Sequence, residues 1–376
     1  MYKYKLSVVI PTKDRYNYLE PLIRLVSSFS NEDIEIVIED NSKDNTDFLR
    51  VLKSFDYPEI HYYYNSNHIS VGDNLDNAIG HSQGEYVCVI GDDDGVLPSI
   101  LDCIDWMKEN NVDAVIPMII SYVWPDHDEA TSRRGGVVKF YPSNDKPIIQ
   151  FLNPQQTLTD AINHGFLDRG LLPICYHGIV KRSVLDAVYK IGGKYSPGPS
   201  PDIAAGVALS LVVNKYALIN FPIIISGASV QHGAGAHKMK HGAAKIEDLP
   251  FLPVGTKENW EPKLPLIWTV ETIWPESAIK ALRYMGRDDL VDKVNYNLIW
   301  SSFLKNRPAF KDELWKVVTN KVSFVLFFIK YITNKAINKV TRKNKKLESK
   351  EIVCDNVPTI IEAAHAVNDY FKKWPI

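Results

Sequence analysis

The chain has no apolar run of the roughly 18–20 residues that a bilayer crossing takes, which argues against a transmembrane helix. Its four cysteines, Cys88, Cys103, Cys175 and Cys354, are scattered without a CxxC pair. That spacing argues against a disulfide framework and for buried free thiols in a reducing compartment. The formal net charge is −2 over 376 residues, so no global basic surface is available to nucleic acid. The opening MYKYKLSVVIPTKDR lacks the long apolar stretch of a secretory signal, and Pro11, Lys13, Asp14 and Arg15 interrupt it early, so a cytoplasmic protein is expected. No internal repeat is evident. What is present is ordinary globular composition, 45% hydrophobic and 23% charged, at a length where one core stops growing.

The first hundred residues alternate between β-branched apolar runs and amphipathic stretches. LSVVIP at 6–11, IEIVIE at 34–39, 60–64 and YVCVI at 86–90 read as strands, and 18–29, 45–54 and 72–81 as the helices between them. Such spacing predicts right-handed crossovers and a mainly parallel α/β sheet. In such sheets ligands bind beyond the carboxyl ends of the strands, so the loops PTKDR, DNS, 65–72 and GDDDG are where chemistry is expected. Further on, a helix at 99–110, a strand at 114–122, a polar stretch at 126–136 and a strand and helix over 176–189 lead to the turn SPGPSPD at 196–202. A helix and a strand then run to Ser226, a glycine- and histidine-rich loop covers 227–242, and the segment with Trp260, Trp268 and Trp274 reads as helical.

Asp92, Asp93 and Asp94 follow the fourth strand directly and are followed by Gly95. Carboxylates this close repel unless a cation offsets them, and hard oxygen ligands select Mg²⁺ or Mn²⁺. An acidic turn or a helix cap is the plainer account. SVVIPTKDR, then IVIEDNSKDNT, then GEYVCVIGDDDGVL, in that order and spacing, resemble the family-2 glycosyltransferases of GT-A fold. The resemblance is dense over 5–100 and weak to about 235.

That resemblance implies a nucleoside-diphosphate sugar donor, with a UDP-sugar favoured, and a bound Mn²⁺ or Mg²⁺. It places Pro11, Thr12, Asp14 and Arg15 in the loop that contacts the nucleotide, and Asp40 at the residue that accepts hydrogen bonds from a pyrimidine base, a role that suits an acceptor-only side chain. For Arg15 a surface salt bridge is the alternative, and for Asp40 a helix or Asx-turn cap. Gly72 and Asn74 match the loop and helix start beside the donor sugar, where glycine permits close backbone approach. Asp73 stands where relatives often carry arginine, and a helix cap by Asp73 or Asn74 is an equal account. By the same resemblance Asp94 is the metal ligand, Asp92 and Asp93 hold ribose or donor sugar or stand behind the metal's ligand, and a histidine after the last core strand completes the metal site, His232 first and His237 or His241 after it. An inverting transfer needs a base, and Asp202 at the head of an apolar helix fits by position; Pro201 replaces the glutamate usually found before it, and an ordinary helix cap is the alternative.

From Lys321 to Lys346 there are eight Lys or Arg and no Asp or Glu, with VSFVLFFIKYI at the front. That pattern suits an interfacial helix on an anionic membrane, or an apolar face packed on the core. The expected organisation is therefore a GT-A domain over 1–235, with the nucleotide sugar bound by 1–100 and the acceptor by 101–235. A helical extension at 236–320 and a basic helical tail at 321–376 follow. The expected activity is glycosyl transfer to a saccharide or lipid-linked saccharide acceptor in surface polysaccharide assembly, at the inner membrane face. Two other readings stay open: a nucleotidyltransferase, although PTKDRYN lacks the usual glycine-rich loop, and a non-catalytic sugar- or nucleotide-binding protein of the same fold.

Overall fold

The computed structural model describes residues 2–29, 31–126, 134–141, 148–230, 243–249, 251–341 and 351–371. The N-terminal part runs β1 (Tyr4–Thr12), α1 (Tyr16–Ser27), β2 (Ile34–Asp40), α2 (Thr46–Leu52), β3 (Ile60–Tyr64), α3 (Val71–His81) and β4 (Gly84–Val89). β1 lies between β2 and β4, parallel to both, and β3 extends the sheet in parallel beyond β2. Thr12 sits opposite Asp40 in that register, so the loops after β1 and β2 leave the sheet side by side. Alternate strand residues supply two cores. Leu6, Val8, Ile10, Ile36, Ile38 and Cys88 face α1, while Val9, Val37, Val87 and Val89 face Leu75, Ala78 and Ile79 of α3. Because both faces are covered, the strands read as continuous apolar runs rather than as alternations.

The middle of the chain runs β5 (Gly95–Val96), α4 (Ser99–Glu109), β6 (Ala114–Val123), β7 (Val137–Phe140), β8 (Ile149–Leu152), α5 (Pro154–Asn163), β9 (Ile179–Lys181), α6 (Arg182–Gly192), α7 (Pro201–Ser210) and β10 (Tyr216–Ala228). β9 pairs antiparallel with both β4 and β6, and β10 runs parallel to β6 and antiparallel to β5 and β8. The β5–β10 pair brings the turn 91–94 against the far end of β10. α7 is apolar all round and buried from Ile203 to Ser210, as an interior helix must be.

Then come α8 (Val270–Tyr284), α9 (Asp288–Val291), α10 (Tyr296–Asn306), α11 (Lys311–Val317), α12 (Lys321–Thr341), β11 (Ile352–Cys354) and α13 (Ile360–Phe371). Two expectations change here. Trp260 lies in a bend and Trp268 in an antiparallel bridge with Ala244, both before α8, and Trp274 alone of the three is helical. Pro262 and Pro265 explain this, since proline removes a backbone donor and disfavours helix at the residue before it. Residues 352–371 do not continue a basic tail. β11 pairs with β7, and Ile360, Ala363, Ala364 and Val367, at helical spacing, pack into a core with Tyr18 and Leu25 of α1. Cys88, Cys103 and Cys175 are buried and Cys354 half-buried, all as free thiols. Among the described residues no helix is long and apolar enough to cross a membrane.

Candidate active site

The three aspartates form a tight turn between β4 and β5, closed by the Asp94 amide donating to the Gly91 carbonyl at 3.3 Å. Asp92, Asp93 and Asp94 are 2%, 1% and 0% exposed, so this is neither a solvent-facing bend nor a helix cap, α4 starting only at Ser99. Asp92 Oδ2 accepts the Thr12 hydroxyl at 2.7 Å. Arg15 lies across the turn, with Nη1 2.8 Å from Asp92 Oδ1 and Nη2 2.6 Å from Asp93 Oδ2. The same Nη2 donates to Ser229 Oγ at 2.6 Å, and that hydroxyl donates to Asp93 Oδ2 at 2.7 Å. The loop after β1, the acidic turn and the end of β10 are thus tied through one guanidinium, which is an internal ion pair and not a surface one.

Removing that guanidinium while leaving its carboxylates buried is costly. Arg15→Met should lower unfolding free energy by about 3 kcal/mol, read from urea denaturation at neutral pH.

Asp94 is held by residues the sequence did not single out. Its Oδ2 accepts from the Gly91 amide at 2.7 Å, Tyr176 hydroxyl at 2.9 Å and His177 Nε2 at 2.6 Å, and its Oδ1 accepts from the Gly227 amide at 2.8 Å. His177 reaches it with a left-handed backbone, φ 62°. Gly227 is required where it stands, because a Cβ there would lie 1.7 Å from the Asp93 carbonyl oxygen. Trp124 Nε1 donates to that same carbonyl at 2.8 Å.

On the neighbouring strand, Asp40 has no exposed surface, and its Oδ2 accepts the hydroxyls of Tyr16 and Tyr62, each at 2.6 Å. Burial and the hydrogen bond to Asp40 both push these phenols up, so they stay donors. Asp40 Oδ1 takes the Ser42 amide at 2.8 Å, an Asx-turn, and keeps acceptor capacity beyond it. The anticipated turn geometry is therefore real, and Asp40 is enclosed by its two tyrosines. Asp14 adopts φ 56°, accepts the Lys43 amide at 2.9 Å and donates its own amide to Ser42, which fastens the loop after β1, following Pro11, to the loop after β2.

Asn74 donates to the Glu39 carbonyl at 3.3 Å and the Thr12 carbonyl at 3.5 Å, so α3 spans the ends of β1 and β2. Neither Asp73 nor Asn74 caps that helix. Ser70 does, accepting the Asp73 amide at 3.1 Å, while Asp73 pairs with Lys194 at 2.7 Å. A Cβ on Gly72 would meet the Gly198 carbonyl at an ordinary 3.7 Å, so the protein itself does not demand glycine there. Asp202 lies exposed in the first turn of α7, not at its cap position, which Ser200 holds. Its charge is felt at Tyr176, whose hydroxyl burial first and then Asp94, Asp202 and Asp93 push well up, and at Arg169. His232, His237 and His241 lie outside the described residues.

Three buried carboxylates face the guanidinium of Arg15 and the His177 ring, and the shortage of positive charge shows at Asp92. Burial, then Asp93 and Asp94, push the Asp92 carboxyl up to about 7 against the opposing pull of Arg15 and Thr12. Among the described residues no group of three or more His, Cys, Asp or Glu is placed to hold a metal ion, and His232, His237 and His241 lie outside them. A carboxyl raised in the fold stabilises fully below its unfolded pKa, and that contribution is lost as pH rises through about 7. The metal-free melting temperature should therefore fall from pH 5 to pH 8, and the fall should shrink in Asp92→Asn, which has no carboxyl to titrate there. Differential scanning fluorimetry across that range checks both outcomes.

Residues 7–172 match the model of the family described as glycosyl transferase family 2. A GalNAc(5)-diNAcBac-PP-undecaprenol beta-1,3-glucosyltransferase of Campylobacter jejuni is 32% identical over 102 residues, 27% of this chain and 33% of that protein. An uncharacterized glycosyltransferase of Rickettsia conorii is 32% identical over 119 residues, 31% of this chain and 19% of that protein. The alignments thus span a third or less of these curated relatives. The crystal structure of S. aureus TarS 1–349 in complex with UDP-GlcNAc superposes with a TM-score of 0.51 at 14% identity, covering 88% of this chain and 92% of that one, a likeness of fold.

Proposed function

Because the chain belongs to glycosyl transferase family 2 over residues 7–172 and has the GT-A fold, we propose that it is a metal-assisted, inverting glycosyltransferase. It moves a hexosyl or N-acetylhexosaminyl group from a nucleoside-diphosphate sugar, a UDP-sugar first, to a saccharide or lipid-linked saccharide in surface polysaccharide assembly. The observation that carries the reading is convergence. Thr12 bonds Asp92, Arg15 bonds Asp92 and Asp93, and Thr12 sits beside Asp40 in the sheet, so the residues assigned to base, phosphate and metal share one strand-end site.

In this reading Asp40, presented with Tyr16 and Tyr62, takes the base, and Pro11, Thr12, Asp14 and Arg15 line the nucleotide. Gly72 and Asn74 shape the floor beside the donor sugar. Asp92 and Asp93 orient ribose and sugar, while Asp94 would hold the cation, with His177 beside it and His232 as a further ligand. When bound, the metal supplies Lewis-acid neutralisation of the departing nucleoside diphosphate. Arg15, already among the carboxylates, is the side chain positioned to turn its guanidinium toward the diphosphate. Asp202 removes the proton from the acceptor hydroxyl as that oxygen attacks the anomeric carbon from the face opposite the leaving group. A lipid-linked acceptor, as named for the Campylobacter jejuni relative, would put the reaction at a bilayer surface.

The test is incubation of purified protein with Mn²⁺ and a panel of nucleotide sugars, followed by assay of nucleoside diphosphate release. Release from one donor with an inverted product is expected. Failure to hydrolyse or transfer from any of them, or release of pyrophosphate instead, overturns the reading.

A further inference from the structure

We propose that α12 lays this chain flat on an anionic lipid surface. The helix is fixed to the body along one side. Phe324 is fully buried, edge-on to Trp300 and Trp315 with ring centroids 5.9 and 5.5 Å away, and Phe328 packs beside it. On the other side Val322, Leu326 and Ile329 are 73%, 65% and 58% exposed, and Val325 and Ile332 are exposed with them. Spacings of three, four and seven residues put these side chains on one stripe, so a continuous aliphatic ridge points away from the protein.

The charges select its occupant. Lys321 and Lys330 fall at the two edges of the ridge, and the sequence from 321 to 346 contains no acid. Docking two copies ridge to ridge would bring lysine against lysine, whereas an anionic leaflet meets both the aliphatic stripe and the flanking ammonium groups. Beside the Lys330 edge runs a groove of about 440 Å³ lined by Leu298, Phe327, Tyr331, His164, Lys330 and Lys335, a largely apolar recess with two lysines in its lining. The helix is not long and apolar enough to cross the bilayer, so its place is the interface. The inference rests on α12 alone and holds whichever sugar is transferred; activity is not its readout.

The test is flotation of the full chain with vesicles of equimolar phosphatidylglycerol and phosphatidylcholine, and with phosphatidylcholine alone. The protein should float with the anionic vesicles, less so at high salt, and not with the neutral ones. Leu326→Glu combined with Ile329→Glu, and separately Lys321→Gln, Lys330→Gln and Lys335→Gln combined, should each lower the bound fraction about tenfold. All five side chains are exposed, so melting curves should stay unchanged. Equal flotation with neutral vesicles, no flotation with anionic ones, or wild-type binding by both variants overturns the proposal. So does a wild-type dimer in light scattering that the double glutamate variant dissociates, which would make a second copy the occupant.

Discussion

Asp94→Asn is expected to lower the rate of glycosyl transfer by about three orders of magnitude, close to 4 kcal/mol of lost transition-state stabilisation at about 1.4 kcal/mol per tenfold. The substitution keeps shape and removes charge. In the proposed mechanism that charge anchors the cation, and without it the diphosphate leaves unaided. The amide also creates a local conflict. Asp94 accepts from the Gly91 amide, Tyr176 and His177 on one oxygen and from the Gly227 amide on the other, so the new NH₂ must face a donor whichever way it turns. A stability loss of about 1–2 kcal/mol should accompany the change, too little to unfold the chain. Two measurements separate these effects: a urea melt reads the modest stability loss, and thermal shift by a nucleoside diphosphate with Mn²⁺ should nearly vanish. Transfer within a few-fold of wild type would make Asp94 a structural acceptor only.

What the sequence revealed of this site is what local chemistry writes into it. Four apolar runs with turn residues between them dictate parallel crossovers, and an acidic triplet directly after such a run must lie at the carboxyl edge of the sheet. Partners distant in the chain were not legible. Tyr176 and His177 reach Asp94 from more than eighty residues away, from a loop whose left-handed residue carries no pattern in the sequence. Tyr16 and Tyr62 looked like ordinary helix and strand aromatics until the β2–β3 pairing put Tyr62 beside Asp40 and the start of α1 brought Tyr16 over it. β5 and β9 are two and three residues long, defined by their pairing and not by any periodicity of their own. The return of 352–371 to the sheet was hidden by the basic stretch before it, although the apolar spacing of α13 was there to be seen.

Asp202→Asn should reduce kcat by between about a hundred and ten thousand fold while leaving donor binding intact, the signature of a lost general base. The geometry sets this residue apart from the buried carboxylates. Asp202 opens α7 with its side chain in solvent, while its charge reaches Tyr176, whose hydroxyl contacts Asp94. It escapes the burial that raises Asp92. An acid in the first turn of a helix also stabilises that helix, worth about 0.3–1 kcal/mol. That plainer role predicts a slightly lower melting temperature with unchanged kcat. Catalysis predicts the reverse weighting: a large fall in kcat, an unaltered shift by nucleoside diphosphate, and loss of the acid limb of the pH–rate profile. Asp202→Glu should restore part of the rate, since a carboxylate one methylene further out can still accept the proton. A uniform fall in donor affinity, with kcat preserved, would move Asp202 from the reacting hydroxyl to the binding of the donor.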